Sequence, residues 1–132
     1  LRARSAGFDQ QTSENMRITL TQQIKMMLAS PIGEWICQPH QNEKNEFELL
    51  TREQGRATTY IIDRTFEDAG VQWIIDFKTT PSPESHLKHH QDQLNRYAQL
   101  MGERTALPIH CGIYYLATQE WICWPSAISS HD

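Results

Sequence analysis

Thr58-Thr59-Tyr60-Ile61-Ile62-Asp63-Arg64-Thr65-Phe66 and Val71-Gln72-Trp73-Ile74-Ile75-Asp76-Phe77-Lys78, joined by Glu67-Asp68-Ala69-Gly70, decide the fold. Both runs are rich in β-branched and aromatic residues and the link between them has turn composition, so they predict two antiparallel strands of one hairpin. Successive side chains of a strand leave on opposite faces. Asp76 and Lys78 therefore share a face, Ile75 and Phe77 turn to the opposite layer, and hairpin pairing brings Asp63 beside Asp76. Both aspartates stand in apolar surroundings, Tyr60-Ile61-Ile62 before one and Trp73-Ile74-Ile75 before the other. An ionised group in such a place costs free energy unless it is paired or bound to a cation.

Working outward, Ile18, Leu20, Ile24, Met27 and Leu28 recur every three to four residues and predict a helix over Met16 to Ala29, ended by Ser30-Pro31-Ile32-Gly33. Gln38 to Asn45 is polar and loop-like. Phe47, Leu49 and Leu50 mark a first short strand, with Gly55 at the turn after it. Thr79-Thr80-Pro81-Ser82-Pro83 breaks the chain, and Ser82 or Ser85 is available as the cap of a helix from about Glu84 to Met101. The stripe of that helix is Leu87, Leu94, Tyr97, Ala98 and Met101. After Gly102 and Pro108, Ile109 to Leu116 reads as a buried strand, and Trp121 to Trp124 as a short one that closes a second hairpin; the tail from Pro125 reads as loop. The order of helix, three strands, helix, two strands predicts an α/β or α+β fold, a mixed sheet flanked by helices.

With 132 residues, 39% of them hydrophobic, the chain is long enough for one domain with a core and too short for two. The single domain is expected to span residues 1–132. The polar start over residues 1–15, without a methionine, predicts a flexible lead-in of a piece excised from a longer polypeptide. A formal charge of −4 and a pI near 5.8 offer no global attraction for nucleic acid, so any such contact must come from a local basic surface. Cys37, Cys111 and Cys123 are odd in number and widely spaced, which predicts free buried thiols in a reducing compartment and a cytoplasmic location. No apolar run approaches the roughly 18 residues of a membrane span.

Two neighbouring carboxylates supply oxygen ligands for Mg²⁺ or Mn²⁺. A lysine on the same face can orient a water or stabilise developing negative charge, which suits phosphodiester hydrolysis. The bland alternative is that Asp76 and Lys78 form a solvated pair on an exposed face while Asp63 pairs with Arg64 or Arg56.

Three segments, Ile61-Ile62-Asp63-Arg64, Trp73-Ile74-Ile75-Asp76-Phe77-Lys78-Thr79 and Gln93-Leu94-Asn95-Arg96-Tyr97, resemble the PD-(D/E)xK nucleases. In order and spacing they are similar to the blocks of the RecB-like nuclease domains at the C-terminal end of UvrD-like helicases, with Phe77 in place of a tyrosine. The resemblance covers roughly Gly33 to Trp124. It implies a restriction-endonuclease-like fold and a Mg²⁺-dependent deoxyribonuclease, exonuclease or endonuclease, acting in DNA repair or recombination. It further implies a helicase domain in the same polypeptide, and a further subunit of a nuclease complex as a possible partner. By the same resemblance Asp63 and Asp76 ligand the metal with the backbone carbonyl of Phe77, and Lys78 is the catalytic lysine. Gln93 and Tyr97 match the helix motif that touches the site or the DNA backbone. Their spacing of four independently places them on one helix face. Core packing is the other reading of Tyr97. Glu46 resembles an additional acid before the first core strand, against the plainer reading of a surface glutamate, and Glu43 and Glu48 compete for the role. A histidine-bearing helix usual upstream in such domains has no counterpart here, since His40 falls in a loop.

His86 and His90 are spaced for a transition metal but lack a third ligand. A polar face or a phosphate contact is the alternative, with Lys88, Arg96 and Arg104 giving local basic character. Trp35, Trp73, Trp121 and Trp124 read first as core or interface packing rather than base stacking. No phosphate-binding loop of the GxxxxGK[ST] kind is present. The competing functional class is a catalytically silent DNA-binding or scaffolding domain of the same fold.

Overall fold

A computed structural model describes residues 2–80 and 84–126. Helices α1 (Arg2–Ala29) and α2 (Pro31–Cys37) lead into strands β1 (Gln41–Glu53), β2 (Arg56–Asp68) and β3 (Val71–Lys78); helix α3 (Glu84–Met101) and strands β4 (Ile109–Tyr115) and β5 (Glu120–Pro125) follow. The five strands form one sheet in chain order. All neighbours are antiparallel except β3 and β4, which run parallel because α3 carries the chain back between them.

The expected hairpin is present, and the two-residue turns explain its tightness. Ala69 and Gly70 have φ of 52° and 79°, and Gln54 and Gly55, between β1 and β2, have 53° and 77°. Two successive left-handed residues match the twist of the flanking strands. Each turn has its glycine second.

Three expectations need correction. Helix α1 begins at Arg2 rather than at Met16, and no proline or glycine between residues 10 and 16 interrupts it. The stretch Gln41 to Asn45 is strand, because β2 is long enough to offer it partners up to Glu67. Ser30-Pro31 ends α1 as expected but also starts α2. The Ser30 hydroxyl accepts from the Gly33 amide at 3.0 Å and Pro31 opens the helix with a preset φ. For α3, Ser82 lies outside the described residues and Ser85 falls inside the helix. The tail from residue 127 onward is also outside them.

The sheet is covered on both faces. On one, α3 lays Leu94, Tyr97, Ala98 and Met101 against Leu49, Ile62, Ile74, Ile113 and Tyr115. On the other, Met27 and Ile36 pack on Phe66, Ile75 and Tyr114 with the rings of Trp35, Trp73 and Trp121 around them. Three of the tryptophans are therefore core residues here, and Trp124 packs against the α3 side. The stripe expected on α1 is narrower than its sequence implies: Met27 is buried and Leu20 half-buried, while Ile18, Ile24 and Leu28 stay exposed. Among its described residues the helix meets the body through Leu20, Met27 and the Gln23 carbonyl. Of the three thiols expected to be buried, Cys111 is, while Cys37 and Cys123 are exposed. Among the described residues no helix is long and apolar enough to cross a membrane.

The strand alternation slips at one place. Tyr60 and Ile62 face α3, and so does Thr65, whose hydroxyl accepts from Gln72 and which pairs with Ile74. A strict period of two cannot put 62 and 65 on one face. The slip falls next to Asp63, where the pairs Asn45↔Arg64 and Phe47↔Ile62 keep one register and place Glu46, with φ of 51°, opposite it; the register shift of β1 lies farther along, between Gln41 and Lys44. The side chains change faces there without an inserted residue. The β2–β3 ladder stops at Arg64↔Ile75, one step short of Asp63 and Asp76.

Candidate active site

Where β2 leaves β3, the Asp63 side chain takes over the pairing. Its Oδ2 accepts the Phe77 amide at 2.9 Å. In an antiparallel ladder a residue offers its N–H and C=O on the same edge. The Phe77 carbonyl therefore also lies on the β2 edge, beyond the last ladder pair, while its ring packs in the opposite layer.

Asp76 projects toward α3 and is 6% exposed. Its Oδ2 lies 3.0 Å from Lys78 Nζ. That contact is an ion pair without hydrogen-bond alignment, so Oδ2 is buried with no hydrogen-bond partner among the described residues. Burial pushes the Asp76 carboxyl up to about 6, with Asp63 adding to the rise and Lys78 opposing it. Two carboxylates crowding one site repel when both are ionised. The solvated-pair reading of Asp76 and Lys78 is thus excluded.

Lys78 is itself held in place. Its ammonium donates to Gln93 Oε1 at 3.0 Å, and Gln93 Nε2 donates to the Tyr97 hydroxyl at 3.0 Å. The spacing of four on α3 gives the chain Asp76, Lys78, Gln93, Tyr97. The Tyr97 ring packs in the core, edge-on against Tyr60 at 5.8 Å, and its buried hydroxyl accepts from Gln93. Burial, then the charge of Asp76, holds that hydroxyl protonated.

Other residues singled out in the sequence are placed elsewhere. Arg96 is bound to Glu53, which also accepts from the Tyr60 hydroxyl, and it donates to Gln99 at 2.9 Å. Lys88 pairs with Asp92 at 3.0 Å, and Arg104 stands over the Phe47 ring. The local basic surface expected along α3 is therefore engaged internally. Glu46 is exposed, and among the described residues no group of three or more His, Cys, Asp or Glu side chains is gathered closely enough to hold an ion. His40 stacks on Phe66 with centroids 3.8 Å apart. Arg64 does not pair with Asp63. It is buried, and its guanidinium donates to the Ile36 and Gln38 carbonyls at the end of α2 and to Asn45. That is the usual place for a cation at a helix C-terminus.

Sequence reasoning missed Tyr115. It pairs in register with Lys78 across the parallel ladder, is fully buried, and its hydroxyl lies 2.8 Å from His90 Nδ1. Parallel register depends on the length of α3 and its connections, which local patterning does not fix. An open groove of about 830 Å³ runs beside the end of β3, between Met16, Arg17 and Leu20 of α1 and Thr79-Thr80. A smaller cavity of about 200 Å³, around Phe47, Gln72 and Met101, contains none of the site residues.

No protein-family model matches the chain, and no curated protein shows significant similarity to it.

The donor set fits a hard divalent cation on one observation in particular, the buried Asp76 Oδ2, which faces the Lys78 ammonium as an ion pair and has no aligned hydrogen bond among the described residues. Asp63, Asp76 and the Phe77 carbonyl carry oxygens of the kind that would hold Mg²⁺ or Mn²⁺.

Proposed function

We propose that the chain is a divalent-cation-dependent deoxyribonuclease domain of the PD-(D/E)xK, restriction-endonuclease-like kind, and that it works with a helicase of the RecB-like type. The observation that carries this reading is the buried, hydrogen-bond-deficient Asp76 carboxylate. It sits between a second carboxylate and a lysine whose position Gln93 fixes. An ion pair kept for stability alone would satisfy its oxygens. A site kept for chemistry leaves one facing its ligand.

When bound, Mg²⁺ polarises a phosphate and acidifies a water. Asp63, Asp76 and the Phe77 carbonyl would hold the cation. Lys78, oriented by Gln93, places its ammonium against the negative charge that grows on the phosphate as water bonds to phosphorus, losing its proton to solvent, and the bond to the sugar oxygen breaks, that oxygen leaving with a proton from solvent. The Tyr97 hydroxyl, which accepts from Gln93, keeps its own proton to donate.

In Mg²⁺ or Mn²⁺ the purified chain is expected to cut a DNA oligonucleotide. Asp76→Ala and Lys78→Ala should each lose at least about a hundredfold in rate. No cleavage by the wild-type chain in either cation, with the protein folded, contradicts the reading. A silent DNA-binding module is the second reading, and it is favoured because among the described residues no third acidic side chain is gathered with Asp63 and Asp76. Binding of DNA in EDTA, with no cation affinity that depends on Asp63, is its signature.

A further inference from the structure

His90 lies one turn before Gln93 on α3, so its ring is on the helix face that meets Lys78. Its Nδ1 is 2.8 Å from the Tyr115 hydroxyl, which has no other hydrogen-bond partner among the described residues. Tyr115 is fully buried among apolar side chains. A buried hydroxyl proton needs an acceptor more than its oxygen needs a second donor, so the hydroxyl donates and Nδ1 accepts. Burial, and the charges of Lys78, His89 and His86, keep the imidazole below the usual histidine value and therefore neutral. A neutral ring that accepts at Nδ1 carries its proton on Nε2. Among the described residues Nε2 has no partner, and the residue is half-exposed. His86 and His89, one turn and one residue earlier, are exposed and have no such anchor.

We propose that His90 is a substrate-contacting residue of this site, held by Tyr115 in the tautomer whose Nε2–H donates to a DNA phosphate oxygen drawn to Lys78. This rests on the nuclease reading only for the identity of the substrate. A neutral donor beside a fixed ammonium suits an anion with several oxygens, because it adds a directed bond without the repulsion a second cation would bring. Tyr115 is a positioning residue, acting through His90.

The test uses the whole chain in EDTA, so that no cation or turnover enters the reading. Binding of a short single-stranded DNA oligonucleotide is followed by fluorescence anisotropy, and the His90 ring nitrogens by ¹⁵N resonance. The wild type is expected to show the Nε2–H tautomer, with the Nε2 signal moving on addition of DNA. His90→Ala should weaken binding by about tenfold, the worth of one hydrogen bond to a charged group. His90→Gln, whose amide nitrogen reaches the Nε2 position, should keep most of the affinity, and His90→Asn should not. Tyr115→Phe should release the tautomer preference. Equal affinity of His90→Ala and wild type overturns the proposal, as does an Nδ1–H tautomer. Cleavage assayed in the same variants with Mg²⁺ separates the two ideas. Cutting that Asp76→Ala abolishes, with His90→Ala binding and cutting as wild type, refutes the role of His90 alone. No cutting by the wild type, with His90→Ala weakened in binding, refutes the nuclease reading and leaves the phosphate contact standing.

Discussion

Asp76 and Arg64 are both buried charged residues, and their different surroundings set opposite expectations. Asp76 has a carboxyl raised from the ordinary 3.8 to about 6. Between these values the folded chain binds a proton the unfolded chain has lost. Its contribution to stability is therefore full below the unfolded value and is lost as pH rises through about 6. Asp76→Asn should raise the melting temperature at pH 8, by an amount corresponding to on the order of 2 kcal/mol, and leave it nearly unchanged at pH 4. Thermal melts of both proteins across pH check this, and equal melting temperatures at pH 8 would contradict it. Arg64, by contrast, satisfies three carbonyl-type acceptors. Arg64→Ala leaves the end of α2 uncapped and should lower stability by about 3 kcal/mol, measured by urea denaturation. The sequence showed that Asp63, Asp76 and Lys78 share a site. It did not show that Arg64 faces away from Asp63, because the slip in strand alternation that makes this possible has no glycine or other local marker.

At the level of elements, the hairpins and α3 were legible because their signals are local: alternating apolar residues, turn composition, and a stripe of period 3.6. The start of β1 was not, since Gln41 to Asn45 is polar and becomes strand only through pairing with β2. The turns yield a direct check. Ala69 holds φ of 52° without the freedom of glycine or the tolerance of asparagine. Ala69→Gly should stabilise by roughly 0.5–1 kcal/mol in denaturant melts. A loss of stability would show that the turn is not of this type. At Gly112 the limit is space, as an added Cβ would lie 2.0 Å from the Trp121 ring. Gly112→Ala should push that indole off β4 and destabilise by about 2 kcal/mol, with a change in tryptophan fluorescence.

For the molecule as a whole, net charge and the internal pairing of Lys88 and Arg96 limit the attraction for DNA. Few phosphates can be neutralised. The plot of log affinity against log salt for a single strand should therefore have a shallow slope, about −2 or flatter, and a slope near about −6 would show an unrecognised basic surface. The exposed apolar residues of α1, Met16, Ile18, Ile24, Met26 and Leu28, were legible as apolar but not as uncovered. Whether a helix face is covered depends on what packs against it, which is a property of the whole fold. The central claim concerns the aspartate pair at the point where β2 and β3 part. Calorimetric titration of Mn²⁺ into the chain at pH 8 tests it most directly. The account predicts one cation per chain, with binding abolished in Asp63→Asn and Asp76→Asn and weakened as pH falls through about 6. Mn²⁺ binding equal in wild type and both variants, or no binding at all, would contradict it.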